Sequence, residues 1–435
     1  MKVKTAMNSR QVDTQTVRMV IFTRFPLAGR TKTRLIPALG PQGAADLQRK
    51  MTEFTLRQVR QTGCPVEVRF TDGTVAQIRE WLGGDVSCRA QGEGDLGERL
   101  VRAFGEAFKA GARKVLVIGS DCPDNRSANM LQALRALETA SCVIGPALDG
   151  GYYLLGLTAP RPELFDEIDW GTDAVLGQTL AKMDDYRLLP PLSDVDEAQD
   201  VPAKISVIIP ALNEAASVRE TVMAALEGFE AEVLVVDGGS HDRTQEIARQ
   251  AGARVLTGAY GRARQMNLGA KSATGELLLF LHADSLLSSG WDRHLRKILK
   301  DPATVLGHFR FALREGFAGA SLITLGTNAR CRLLQRPYGD QGLFLRKRDF
   351  EALGGFADVP ILEDLLLVKQ AAKKGRIRCA DAPLATSDRR WRTYGALRTT
   401  FMNQAVLLAA WLGADLHKLD AAYRRGENPL RSLWS

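Results

Sequence analysis

The sequence has no C-x-x-C pair among its six cysteines, no low-complexity tract, no short internal repeat and no long apolar run. Each absence removes a class of protein. Cys64, Cys88, Cys122, Cys142, Cys331 and Cys379 are scattered, and a chain of 435 residues does not need disulfide staples to fold, so the reading is reduced thiols in a cytoplasmic protein. The longest apolar stretch, Ala405–Leu412, falls far short of the roughly 20 residues that cross a bilayer. Met1–Arg18 is polar and mixed in charge, without the apolar core of a secretory signal, and reads as a flexible extension over residues 1–17. With 45% hydrophobic residues, disorder is excluded, and 40 glycines without a period exclude a fibrous chain.

The formal net charge of +8 is unevenly placed. Residues 1–203 hold 25 Lys and Arg against 26 Asp and Glu, a balance of −1; residues 204–435 hold 33 against 24, a balance of +9. Basic clusters at Arg293–Lys300, Lys373–Arg378 and Arg389–Arg398 suit an anionic small molecule or an acidic surface, or are solvated helix faces. No nucleic-acid-binding module accompanies them, so no nucleic-acid partner is expected.

Two segments open alike, with a β-type apolar run, a Pro- or Gly-containing turn and a helical pattern: VRMVIFTRFPLAGRTKTRL from Val17 and KISVIIPALNEAASVRETV from Lys204. That parallel predicts two domains of one architecture, 18–201 and 204–435, joined near Asp200–Ala203. In the first, Val115–Gly119 and Cys142–Pro146 read as strands around a helix at Leu131–Thr139. In the second, strands at Ile205–Ile209, Val233–Val236, Arg254–Leu256 and Leu277–Leu281 alternate with helices, the pattern of a parallel sheet with helices on both faces. Ligands of such sheets gather beyond the carboxyl ends of the strands.

Those ends carry Pro210-Ala211-Leu212-Asn213-Glu214, Asp237-Gly238-Gly239-Ser240 and His282-Ala283-Asp284. Each has a structural reading: Asn213, Ser240 and Asp242 can cap helices, and Asp284 can open a turn. Together, IIPALNE, VDGGSHDRT, GRARQMNLGA, LLFLHADS, YGDQGLFLRK and LEDLLL resemble, in order, a family 2 glycosyltransferase of the GT-A fold over most of Lys204–Arg392. The resemblance implies a nucleotide-sugar donor and an acceptor hydroxyl, with Pro210, Asn213, Glu214 and Asp237 on the nucleotide and Arg262 and Asn267 near its phosphates. Asp284 then holds Mg²⁺ or Mn²⁺, His282 standing where the family keeps the first acid of its D-x-D. The Glu363-Asp364 pair matches the family's Glu-Asp, making Asp364 the general base of an inverting transfer with Glu363 beside it; two acids in a helix's first turn also suit the macrodipole. Arg389-Arg390-Trp391 resembles the basic-aromatic motif that closes over the diphosphate, assigning Arg390 and Trp391 to the donor, and Tyr338-Gly339-Asp340-Gln341 is expected on the acceptor side. Asp237, Asp284 and Asp364 are expected to line one cleft.

The first half carries Pro26-Leu27-Ala28-Gly29-Arg30-Thr31-Lys32-Thr33-Arg34, then Gly119-Ser120-Asp121, Asp149-Gly150-Gly151 and Ser193-Asp194-Val195-Asp196. These resemble the molybdopterin guanylyltransferase-like nucleotidyltransferases, often labelled glycosyltransferases, without their glycine-rich L-A-G-G opening. The resemblance implies phosphate contacts by Lys32 and Arg34 and a divalent ion on Asp121 with Asp196 or Asp194. Asp121 also reads as a turn residue, and Gly150-Gly151 as a tight turn. Fusions of the two families occur among bacterial proteins named for arsenosugar biosynthesis, though no residue here selects such an acceptor. The expected fold class is therefore α/β, two GT-A-like, Rossmann-like nucleotide-diphospho-sugar transferase domains in tandem. The acceptor is a small molecule or a lipid. An apolar last helix, about Arg398–Leu412, reads as a core or homodimer helix, and relatives with lipid acceptors use such a helix for peripheral contact with the inner face of the membrane.

Overall fold

A computed structural model describes residues 14–258, 260–316 and 320–425. The chain divides into two compact units, Met1–Val201 and Pro202–Ser435.

In the first unit the strands are β1 (Val17–Arg24), β2 (Val66–Thr71), β3 (Ser87–Ala90), β4 (Lys114–Gly119), β5 (Cys142–Pro146), β6 (Tyr152–Leu157) and β7 (Tyr186–Leu188). They form one sheet in the order β3-β2-β1-β4-β6-β5-β7. The second unit has β8 (Ile205–Ala211), β9 (Ala231–Asp237), β10 (Arg254–Thr257), β11 (Leu277–Phe280), β12 (Leu286–Leu287), β13 (Thr304–Leu313), β14 (Leu343–Arg346) and β15 (Arg376–Thr386), in the order β10-β9-β8-β11-β14-β13-β15-β12. Counted from its own first strand, each sheet begins 3-2-1-4 and continues with an antiparallel neighbour, β6 against β4 and β14 against β11. The strand order reverses beside β1 and β8, so a ligand crevice opens in each unit at the ends of β1 and β4, or of β8 and β11.

The alternation of side chains along a strand explains why the central strands are apolar throughout. Met19 and Ile21 enter one cluster while Val20 enters another; Val207 and Ile209 do likewise against Ile208. Both faces are covered by helices. Pro210 stands next to last in β8 beside Val236 of β9, beyond the last β11 pair at Phe280 and Ile208, where no ladder bond to β11 needs its missing N–H.

Several expectations need correction. Both sheets are mixed, because hydrophobic runs carry no sign of strand direction. Val17, placed in the extension, starts β1, while residues 1–13 lie outside the described residues. The first-half helix is Ser127–Ala136 rather than Leu131–Thr139, and the last apolar helix is Ala396–Trp411, followed by another at Leu416–Arg425.

A buried histidine gives the fold a pH signature. His308 on β13 is 2% exposed, its Nδ1 2.9 Å from the Phe309 carbonyl, and burial depresses its pKa to about 4. Between 6.5 and about 4 the unfolded chain takes up a proton that the folded chain refuses, so stability falls as pH falls through that window. The gap in urea midpoint between the wild type and His308→Asn therefore narrows from pH 6.5 to 4; a constant gap would show that His308 titrates normally.

Candidate active site

The loops after β8 and β9 are sewn together by side chains. Asn213 sits in the left-handed region at φ 56°, where asparagine is tolerated, and its Oδ1 accepts the His241 N–H at 2.9 Å while its own N–H donates to Ser240 Oγ at 2.9 Å. Ala215 N–H donates to Asp242 Oδ2 at 3.1 Å, and Glu214 N–H to Thr244 Oγ1 at 2.8 Å. Glu214 then turns its carboxylate toward the crevice, accepting from Ser217 Oγ at 3.0 Å and lying 3.6 Å from Arg389; burial pushes its carboxyl up.

A cavity of about 780 Å³ opens beyond these strand ends. Of the residues expected there, Pro210, Glu214, Arg262, Asp284, Asp364 and Trp391 line it, joined by His282, Tyr338 and Asp340. Asp237 does not. It is fully buried, and its carboxylate accepts from the N–H groups of Gly239 and Ser240 (3.0 Å each), from Ser240 Oγ at 2.5 Å and from Gln245 Nε2 at 2.8 Å. Burial alone would raise its pKa, but these donors outweigh burial and hold it below the usual carboxylate range. Asn267 is also spent on structure: its amide clamps Phe356, donating to the carbonyl at 2.8 Å and accepting the N–H at 3.0 Å. The side chain of Arg390 lies outside the described residues, and its neighbour Arg389 lines the cavity.

Asp364 occupies the first turn of the helix Glu363–Lys374, entered through Leu362 at φ 68°, a strained conformation for a leucine. Its Oδ2 accepts the Gly339 N–H at 2.5 Å and its Oδ1 the Leu365 N–H at 2.7 Å. A Cβ at 339 would stand 3.0 Å from His282 Nε2 and 3.1 Å from Asp364 Oδ2, so a side chain there would press both back by a few tenths of an ångström. His282 and Asp364 thus meet across one bare backbone position. Glu363 points away from the cavity wall, 2% exposed and 3.4 Å from Arg262, and burial raises its carboxyl against that guanidinium.

Burial depresses His282 to about 3, aided by Arg262, so the ring is neutral. Burial likewise raises Asp284, and it lifts Asp340 to about 6 with help from Asp364 and Asp284. Among the described residues no Lys or Arg forms an ion pair with Asp284, Asp340 or Asp364. Asp340 Oδ1 is buried without a hydrogen-bond partner. Hard carboxylate oxygens without an ion-pair partner suit Mg²⁺ or Mn²⁺, so the residues present fit the cation that the D-x-D position implies. Read from the sequence, Asp340 falls in a turn on the acceptor side, with no part in holding a cation. The far wall was not anticipated: Asn403, Val406 and Leu407 of the helix Ala396–Trp411 line the cavity, with Tyr423, whose hydroxyl donates to Asn403 Oδ1 at 2.8 Å.

In the first unit, Lys32 follows β1 in the left-handed region at φ 47°. Its side chain is 9% exposed, and its ammonium lies 3.3 Å from Asp121 and 2.7 Å from Asp196. Burial alone would lower its pKa, but the two aspartates outweigh burial and raise it. The lysine expected on phosphate therefore bridges the two acids expected on a metal, while exposed Arg34 stands 3.9 Å from Asp196. Carboxylate oxygens of Asp149, Asp194 and Asp196 lie within 4.8 Å of one another, and Asp194 is pushed up to about 6 by burial and these neighbours. Gly150, at φ 93°, has Asp173 so close that a Cβ would fall 2.3 Å from its carbonyl oxygen, which accounts for the glycine turn.

Comparison with known proteins divides the chain in the same way. Residues 54–172 match the model of an uncharacterised protein family conserved in bacteria, DUF2064, and residues 206–350 match the family 2 glycosyl transferase model, whose span ends before Glu363 and Asp364. The 4,4'-diaponeurosporenoate glycosyltransferase of Staphylococcus haemolyticus (strain JCSC1435) is 35% identical over 94 residues, 20% of this chain; the chain spans only 25% of that curated relative. Among solved structures, a candidate nucleotide-diphospho-sugar transferase from Desulfovibrio desulfuricans G20 is 32% identical over 43% of this chain and 85% of its own, with a TM-score of 0.42. A glucosyl-3-phosphoglycerate synthase from Mycobacterium tuberculosis, solved with Mn²⁺, UDP-glucose and phosphoglyceric acid, is 21% identical over 46% and 77%, with a TM-score of 0.34.

Sheet order, crevice position and the family 2 match define the class: two mixed α/β domains of GT-A-like topology in tandem. The second of them carries, over residues 206–350, the match to the family 2 glycosyl transferase model.

Proposed function

We propose that the second unit transfers a glycosyl group from a nucleotide-diphosphate sugar to an acceptor hydroxyl with inversion. The observation that carries this reading is Asp364, a carboxylate fixed by two backbone N–H groups on the wall of the cavity that also holds Asp284, Glu214 and Arg262. Asp364 takes the proton of the attacking hydroxyl, and Gly339 and Leu365 keep its oxygens aimed. Arg262 and Arg389 supply positive charge at the donor end, where a diphosphate leaves. A divalent ion held by Asp284 would neutralise that leaving group without proton transfer. Pro210 and Glu214 border the nucleotide, with Asn213 and Asp237 behind them fixing the two loops. Trp391 lies edge-on to Phe311 and closes the donor side.

The first unit handles a nucleotide or activated sugar at the ends of β1 and β4, through Lys32, Arg34, Asp121 and Asp196. For peripheral membrane contact or homodimerisation the last apolar helix offers exposed Phe401 and Leu408 on Ala396–Trp411, with Leu412 just past its end. No helix among the described residues is long and apolar enough to cross a membrane.

A thermal-shift screen of nucleoside diphosphate sugars with Mn²⁺ tests the reading. A donor present at 100 times its Kd stabilises by about 2.7 kcal/mol, enough to raise the unfolding midpoint by several degrees. A full panel without a shift would count against a nucleotide-sugar transferase.

A further inference from the structure

We propose that Asp340 is a ligand of the divalent cation, completing with Asp284 the site that His282 leaves one acid short. The inference rests on the glycosyltransferase reading of this cavity and adds a residue that the D-x-D position does not supply. Asp340 lines the cavity, yet its Oδ1 is buried and finds no donor. A buried polar atom without a partner costs free energy in proportion to its charge, so a native carboxylate in this state calls for a counter-ion. Arg330 draws the Asp340 carboxyl down against burial, but it lays its guanidinium over the Tyr338 ring at 3.8 Å and leaves Asp340 Oδ1 without a hydrogen bond.

The neighbouring acids are not equivalent. Both oxygens of Asp364 already accept a backbone N–H, whereas Asp340 Oδ1 accepts none, and Asp284 lines the same cavity. Asp340 follows Gly339, whose N–H grips Asp364, so one turn aims the base and offers the ligand. Carboxylate oxygens select a hard ion, Mg²⁺ or Mn²⁺, over a soft one.

The test is Mn²⁺ binding by the full chain, followed through the EPR signal of the free ion. Asp194→Asn and Asp196→Asn form the background, removing the acid cluster of the first unit. On it, Asp340→Asn and Asp284→Asn each weaken Mn²⁺ binding on the order of tenfold or more, while Asp364→Asn leaves it within about twofold. Metal-free thermal unfolding checks that each variant is folded. Parental Mn²⁺ affinity in Asp340→Asn, or no Mn²⁺ binding in the parent, overturns the assignment. Binding that depends on Asp340 in a chain that transfers no glycosyl group overturns the transferase reading alone; transfer with affinity indifferent to Asp340→Asn overturns the ligand alone.

Discussion

Asp364→Asn lowers glycosyl transfer by roughly 10²–10⁴-fold, the usual contribution of a positioned base, while the affinity for the nucleotide-sugar donor stays close to that of the wild type. The substitution keeps shape and removes the lone pair that takes the proton. An amide oxygen satisfies only one of the two N–H groups now bound, from Gly339 or Leu365, and its NH₂ faces the other. That mismatch costs about 1 kcal/mol, small beside the loss in rate. Glu363 gains in exchange, since Asp364 is one of the charges raising its pKa. Turnover and donor affinity are measured with the donor found in the thermal-shift screen. Wild-type turnover in the variant would remove Asp364 as the base, and a matching loss of donor affinity would recast it as a binding residue.

Trp291→Ala destabilises the second unit by about 3–5 kcal/mol. Trp291 opens the helix Trp291–Leu299 and is fully buried against the face of the sheet that includes Val207, Ile209 and Phe309. It fits because residue 228 is glycine: a Cβ there would come within 2.6 Å of the indole ring. Alanine leaves a cavity that a helix anchored between β13 and β15 cannot collapse into. One term offsets the loss, since the indole Nε1 is buried without a partner and its removal relieves about 1 kcal/mol, which favours the lower part of the range. Because β12 lies between Asp284 and this helix, the variant should also lose Mn²⁺-dependent stabilisation. Urea unfolding measures the effect, and a change under about 1 kcal/mol would show that the indole is not packed as described.

The two predictions depend on different kinds of information. Trp291 stands in the sequence as one aromatic among many, and nothing marks it as the residue that fills the space left by Gly228. Asp364 was legible as a functional acid because it sits in an ordered set of motifs. The set did not reveal how its neighbours divide the work. Asp237 and Asp340 are both acids in a glycine-bearing turn at the edge of a strand; one is saturated by four donors and the other has a buried oxygen with none. Only the backbone path decides how many N–H groups converge on each. Lys32 makes the same point in the first unit, where a cation read as free for phosphate is bound between Asp121 and Asp196.

The sequence by itself determined the alternation of strands and helices and the strand-end turns where chemistry gathers, because side-chain periodicity and turn residues act within a few positions along the chain. Tertiary structure alone decided the antiparallel strands β6 and β14, the closure of the cavity by the helix Ala396–Trp411, and which carboxylates keep a free oxygen. Those depend on contacts between segments far apart in the chain, such as Glu214 with Arg389 or Arg262 with Glu363, and local pattern carries no record of such distances.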